Sequence, residues 1–404
     1  MWKRFLIIII ILLATPVVVL AKIKSTLESY LEPFYNRYSL QFDRYGLVYA
    51  TPDYGVKKFE KATSARARMS LATYYRYRAT VGNKSAQIII RKSIDQANAS
   101  LDSRLSTSYS FEDAAAQFLM WQMLDDIPLG YSAEQKKYLK TKIVDRAVDG
   151  LKAKDTENRA VLSAVYWQAI VNWAHQDRLI TSYEKTYFDE KIKNKIDEAV
   201  KGSIDANGWY LEGSPQTFNP HYHLVTAFSL MVYGDLVNDK NYSQLAKTMT
   251  NNLRQVSFSN GMVEARLGPR PVGLGAQFYL GAGLLNWRFG FSDYGAYLNF
   301  ARGNRFFSDP KYPNRLEYHS TRVGTAPNFH DDYAFSNLAE LALATPFFKS
   351  QELKLSTSLK VKVTDPEISN TGQVIIYNHK KITLQPNKIS TKVIENYKNL
   401  NKKY

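Results

Sequence analysis

The chain has 404 residues, 45% hydrophobic and 13% aromatic, with a formal net charge of +16 and no cysteine. That length is enough for a sizeable core in one large domain or two to three smaller ones, and the missing cysteine excludes both a disulfide framework and a cysteine-linked lipid anchor. The basic balance points to an anionic partner such as an acidic polysaccharide, a wall polymer or a membrane surface, although a solvated Lys-rich surface accounts for it equally well.

The first 25 residues read MWKRFLIIIIILLATPVVVLAKIKS. Lys3 and Arg4 form a basic start, Phe5 to Leu20 is apolar, and Val19-Leu20-Ala21 fits a small-residue cleavage rule. The run is short for a membrane span, so residues 1–21 read as a secretory signal peptide, with an uncleaved signal anchor as the alternative. Either way the folded part is expected outside the cytoplasm, secreted or in the cell envelope, where nucleic acid is a poor candidate partner.

Apolar residues then recur at three- and four-residue steps. The spacing predicts helices near 25–40, 65–79, 85–102, 110–125, 133–151, 157–175, 181–203, 220–238, 241–256, 273–289, 291–302 and 331–345. Ser110, with Glu112 and Asp113 behind it, signals a helix start. NRAVLSAVYWQAIVNWAHQ is apolar nearly all round and predicts a buried inner helix. Helices in consecutive pairs with short polar connections form an array of hairpins that closes into a ring, one layer inside and one outside. No repeat of fixed period runs along the chain. The expected fold is therefore mainly α, an (α/α) toroid over 22–350. Beyond it, 352–391 alternates apolar and polar residues, which predicts a small β-appendage within 351–404, followed by a basic tail.

Two connections, 257–272 and 303–330, are long and rich in Gly, Pro, Asn and Arg, as functional loops are. The Gly-rich 270–290 is no phosphate loop, since no Lys-Ser/Thr follows. There Gln277 and Tyr279 face either the cleft or the core.

The densest chemistry is DANGWYLEGSPQTFNPHYHL, residues 205–224. Pro215 and Pro220 forbid a helix before about 220, and Pro220 suits a first helical turn. His221, Tyr222 and His223 then stand at a helix N-terminus, where unpaired N–H groups favour an anion. Two histidines two apart do not share a helix face, so no metal pair is expected, and no cofactor is implied. Asn219 before Pro220 also suits a plain N-cap. Trp209 and Tyr210 either stack on a sugar or plug the core, and Glu212 is either a general acid or a carboxylate paired with a cation.

GWYLEGSPQTFNPHYH followed by an apolar helix resembles the strip of (α/α)-toroid polysaccharide lyases of the heparinase II/III-like and alginate-lyase-like kinds. The resemblance spans residues 65–345 in architecture and about twenty residues in motif. It implies β-elimination on an acidic, uronate-containing polysaccharide: Asn219 neutralises the uronate carboxylate, His221 or His223 is the histidine, and Tyr222 acts as acid or base. Arg266, 47 residues after Asn219, stands where the family's Arg falls, with Arg270 second. Pro220 interrupts the doubled-Asn-then-His pattern of the alginate lyases.

A second cluster, His319, Arg322, His330, Asp331, Asp332 and Tyr333, either closes over the same cleft or, for Asp331 and Asp332, only suits a helix start; Arg270 is also a candidate substrate contact. The leading expectation is an exported polysaccharide lyase. Its alternatives are a glycoside hydrolase on the same scaffold, using Glu212 with Asp331 or Asp332, and a non-catalytic surface protein that binds anionic glycan.

Overall fold

The structure is a computed structural model. It describes residues 79, 82–101, 110–152, 157–212, 217–257, 261, 279–297, 367–368 and 374–375. Its helices are α1 (Lys84–Leu101), α2 (Ser110–Asp126), α3 (Ala133–Lys152), α4 (Glu157–Gln176), α5 (Ser182–Ser203), α6 (Pro220–Val237), α7 (Lys240–Gln255) and α8 (Tyr279–Arg288). Two short antiparallel pairs complete it: β1 (Leu211–Glu212) with β2 (Thr217–Phe218), and β3 (Glu367–Ile368) with β4 (Val374–Ile375).

The helices alternate between two layers. α2, α4, α6 and α8 pack side by side as the inner wall, while α3 covers α2 and α4, α5 covers α4, and α7 covers α6. This is the (α/α) toroid expected from the sequence. The layering follows from composition. α4 is buried from Ala160 to Val171 and again at Ala174, so it has no face for solvent. α3 and α5 bury one stripe each, Leu139, Ile143, Val144 and Ala147 in α3 and Phe188, Ile192, Ile196 and Ala199 in α5. The interior is held by large rings: Phe118 stacks on Trp173 at 5.1 Å and meets Tyr166 at 5.4 Å. Those contacts tie α2 to α4.

The two rims are built differently. Each inner helix from α4 onward ends in a tight left-handed turn. Arg178, Asn238 and Gly290 have φ of 57°, 54° and 73°. The amides after them bond back across the last turn, Leu179 to Ala174, Asp239 to Gly234 and Phe291 to Asn286. The next outer helix then starts at once: Thr181 and Glu184 form a capping box on α5, and Asp239 caps α7. Lys140 of α3 bridges this rim, bonding Asp125 at 2.6 Å and Asp177 at 2.5 Å. On the opposite rim the connections from α5 to α6 and from α7 to α8 are long, 204–219 and 256–278. Because each hairpin reverses direction, this second rim gathers the N-termini of α2, α4 and α6, and the long connections give it room for a site.

Among the described residues no helix is long and apolar enough to cross a membrane. The expected helices at 25–40 and 331–345, the signal segment and the loop 303–330 lie outside the described residues, as do all but one residue of the helix at 65–79. Of the helix expected at 291–302, residues 294–297 are described and helical. Of the strands expected over 352–391, the pair β3–β4 is described.

Close packing between layers gives a first testable consequence. A Cβ at Gly150 of α3 would sit 2.5 Å from the indole of Trp167 on α4. Gly150→Ala gains about 1 kcal/mol of helix propensity but forces a buried ring to move, which costs about 1–3 kcal/mol. A net loss of stability is expected in thermal unfolding; a raised midpoint would show that the indole shifts freely.

Candidate functional site

The strip 204–219 is an excursion from the end of α5 to the start of α6, and its own side chains shape it. The Asp205 carboxylate accepts from the N–H of Asn207 at 2.8 Å and of Trp209 at 2.9 Å, folding the turn. Gly208 takes φ +78° there, and a Cβ on it would lie 2.8 Å from Thr248 of α7. Asn252 of α7 donates to the Asn207 carbonyl at 2.9 Å. The chain then bridges Ile204 to Tyr210 and pairs Leu211 with Phe218 and Glu212 with Thr217.

Pro220 opens α6, as the sequence requires. Asn219 is 1% exposed, and its Oδ1 accepts from the Tyr222 N–H at 3.3 Å. It is the helix cap.

His223 is fully buried. Its Nδ1 accepts from the Tyr210 N–H at 3.1 Å, which makes Nε2 the protonated nitrogen, and Nε2 donates to the Met249 carbonyl at 2.7 Å. Burial pushes its pKa down to about 4, against weaker upward pulls from the Met249 carbonyl and Asp205. The imidazole is neutral and joins the excursion, α6 and α7. Around it lie Phe218, 5.3 Å away edge-on, and Trp209 at 5.8 Å.

Tyr210 is also fully buried. Its hydroxyl accepts from the Asn158 N–H at 3.2 Å and donates to Asn158 Oδ1 at 3.4 Å. One side chain thereby locks the excursion to the first turn of α4. This contact confirms that α4 and α6 start on the same rim.

The structure therefore brings Trp209, Tyr210, Asn219, Tyr222 and His223 together, and it revises the expectation for two of them. His223 is not placed as a base, because both its ring nitrogens are bonded to main chain. Tyr210 plugs the core rather than stacking on a sugar. Trp209 and Tyr222 remain half-buried. Glu212 lies on β1 and His221 in the first turn of α6. Arg266, Arg270, His319, Arg322, His330, Asp331 and Asp332 lie outside the described residues.

One residue escaped the sequence reading. Glu157, the first residue of α4, has φ +56° and is half-buried beside Asn158. A left-handed non-glycine residue at a helix start is strained by about 1–3 kcal/mol, and nothing in the one-dimensional pattern announces it. Farther round the same rim, Asp113 of α2 pairs with Arg146 of α3 at 2.8 Å. No group of three or more metal-ligating side chains occurs among the described residues.

No protein-family model and no curated protein matches the chain. Solved structures do. The Lin0763 protein from Listeria innocua superposes with a TM-score of 0.51 at 11% identity, over 79% of this chain and 97% of that one. The GH76A alpha-1,6-mannanase from Salegentibacter sp. HEL1_6 gives 0.49 at 10% identity, over 79% and 99%. An inactive variant of that mannanase in complex with alpha-1,6-mannotetrose gives 0.47 at 9% identity, over 78% and 96%. The likeness to the Listeria protein is one of fold. The resemblance to polysaccharide lyases gains no support from these structures.

Proposed function

We propose that the protein is a carbohydrate-active enzyme that hydrolyses a polysaccharide at the rim where the inner helices begin. The observation that supports this over β-elimination is the use of His223 by the fold. Elimination next to a uronate needs a neutralising group and a base aimed at the substrate. Here both ring nitrogens of His223 are bonded to main chain, which leaves neither for a substrate proton.

Glycosidic hydrolysis asks instead for two carboxylates flanking the scissile bond. The rim offers Glu157, half-buried and conformationally strained, and Glu212 on β1, two residues beyond the Tyr210 that bonds α4. In this reading Glu157 and Glu212 are the acid and base pair, and Asp331 and Asp332 are further carboxylates available to the cleft. Trp209 and Tyr222, half-buried, supply apolar ring faces to the sugar. The apolar leader at 1–21 suits an enzyme that meets its polymer outside the cytoplasm.

The test is incubation of the protein with a panel of neutral and uronate-containing polysaccharides, read for both reducing ends and ultraviolet absorbance. New reducing ends without absorbance are expected, and Glu157→Gln should lower turnover by about 100-fold or more with unchanged unfolding. A rise in absorbance that Tyr222→Phe abolishes would replace hydrolysis with elimination.

A further inference from the structure

The phenol of Tyr210 reaches the rim from a rigid mount. The Tyr210 backbone N–H donates to His223 Nδ1 at 3.1 Å, and His223 Nε2 donates to the Met249 carbonyl at 2.7 Å. α7 thus holds α6, and α6 holds the excursion. Tyr210 is also bridged to Ile204, and it is fully buried. Packing combined with hydrogen bonding is what keeps a supporting side chain in one place.

The hydroxyl grips α4 at one residue. It accepts from the Asn158 N–H at 3.2 Å and donates to Asn158 Oδ1 at 3.4 Å. That N–H is among the amides at a helix start that have no partner inside the helix. It also belongs to the peptide joining Glu157 to Asn158. A peptide unit is planar, so holding its N–H sets the ψ of Glu157, whose φ is +56°.

A left-handed glutamate persists only where its surroundings over-determine it. Tyr210 supplies one such constraint from 52 residues along the chain. Glu212 lies on β1, two residues beyond Tyr210. One side chain therefore bolts the backbone segment that carries Glu212 to the turn that carries Glu157.

We propose that Tyr210 is a positioning residue for the rim: its hydroxyl holds the Glu157 backbone in register with β1. The inference rests on the hydrolytic reading, in which Glu157 and Glu212 are the acid and base pair. Tyr210 acts through Glu157 and has no contact with substrate of its own. The spacing of two such carboxylates governs how the sugar is attacked. A loosened first turn of α4 therefore slows the chemical step and leaves the hold on the polysaccharide intact. A displacement of about 1 Å at such a site lowers the rate by up to about 100-fold.

The test is Tyr210→Phe in the full chain, which keeps the buried ring and removes the hydroxyl. Reducing ends are measured on the same panel of neutral and uronate-containing polysaccharides. kcat is expected to fall about tenfold or more with KM unchanged. Added to Glu157→Gln, the same change should lower the residual turnover no further, because no carboxylate is left to position. Amide exchange at Asn158 should quicken, while the buried stretch of α4 from Val161 to Val171 keeps its protection. A hydroxyl with a merely structural role lowers turnover by the same factor in both backgrounds, and that result overturns the proposal. An unchanged kcat in Tyr210→Phe overturns it too, as does unchanged exchange at Asn158, which needs no substrate. Full turnover in Glu157→Gln, or no polysaccharide cleaved by wild type, instead overturns the hydrolytic reading and the positioning role with it. The two failures are thereby told apart.

Discussion

His223→Ala is expected to destabilise the protein by about 3–5 kcal/mol, as the sum of two orphaned buried main-chain groups and a cavity. The Tyr210 N–H loses its acceptor and the Met249 carbonyl loses its donor, both in a fully buried place. The same side chain fixes Trp209 and Phe218, so the loss spreads to the whole excursion. The measurement is the urea midpoint. His223→Gln, whose amide both donates and accepts, should recover part of the loss. A catalytic histidine behaves in the opposite way, with turnover falling and the urea midpoint holding. An unchanged midpoint in His223→Ala would therefore refute the structural role and reopen elimination.

The same residue gives the rim a pH dependence of known sign. In the unfolded chain His223 titrates near its ordinary 6.5, and in the folded protein burial holds it at about 4. The depressed value means that the unfolded state binds the extra proton first. Stability is complete above about 6.5 and is lost as pH falls toward 4, by about 3 kcal/mol at the lower end. Protonating Nδ1 also removes the acceptor that the Tyr210 N–H uses. Unfolding free energy measured between pH 7 and 4 should slope downward, and His223→Gln should flatten that slope.

The helices were legible in the sequence because their signals are local. Residues 157–176 are apolar on every side, which only an inner helix of two layers tolerates, and α4 is buried accordingly. Pro220 set the start of α6, and the apolar stripes of α3 and α5 set their inward faces. The strip at 205–224 was also legible as a stretch of polar and aromatic residues leading into α6. The division of labour inside it was not. Whether His223 faces a substrate or the Met249 carbonyl depends on how α6 meets α7, across 26 residues of chain. Asn219 is suited both to a cap and to a uronate, and the bond its Oδ1 accepts from the Tyr222 N–H shows the first use. Glu157 carries no signal at all, because nothing in the residue pattern marks a left-handed φ on a glutamate.

Asp293→Ala is the second large effect, expected at about 3–5 kcal/mol because it strands a buried guanidinium. Arg254, near the end of α7, places Nε 3.0 Å and Nη2 2.6 Å from Asp293 Oδ2, and its plane lies 4.1 Å from the Phe291 ring centroid. Asp293 is fully buried and Arg254 nearly so. Removing one partner leaves the other charged without water, whereas removing both leaves an apolar site. Arg254→Met/Asp293→Leu should therefore lie much closer to wild type than Asp293→Ala, and the cycle should show strong coupling. A single-variant loss below about 1 kcal/mol would mean that water reaches the guanidinium. The pair also bears on the site. Ser257 bonds Tyr297 at 3.1 Å, and Gly261, at φ +91°, lies against Ala296 so closely that a Cβ would fall 2.5 Å from its carbonyl. These contacts join the start of the 256–278 connection to the segment after α8, and that connection holds Arg266 and Arg270. Breaking the ion pair should therefore lower turnover at the rim together with stability, while the paired apolar replacement restores both. Restored stability without restored turnover would assign the Arg254 charge a part in the reaction itself.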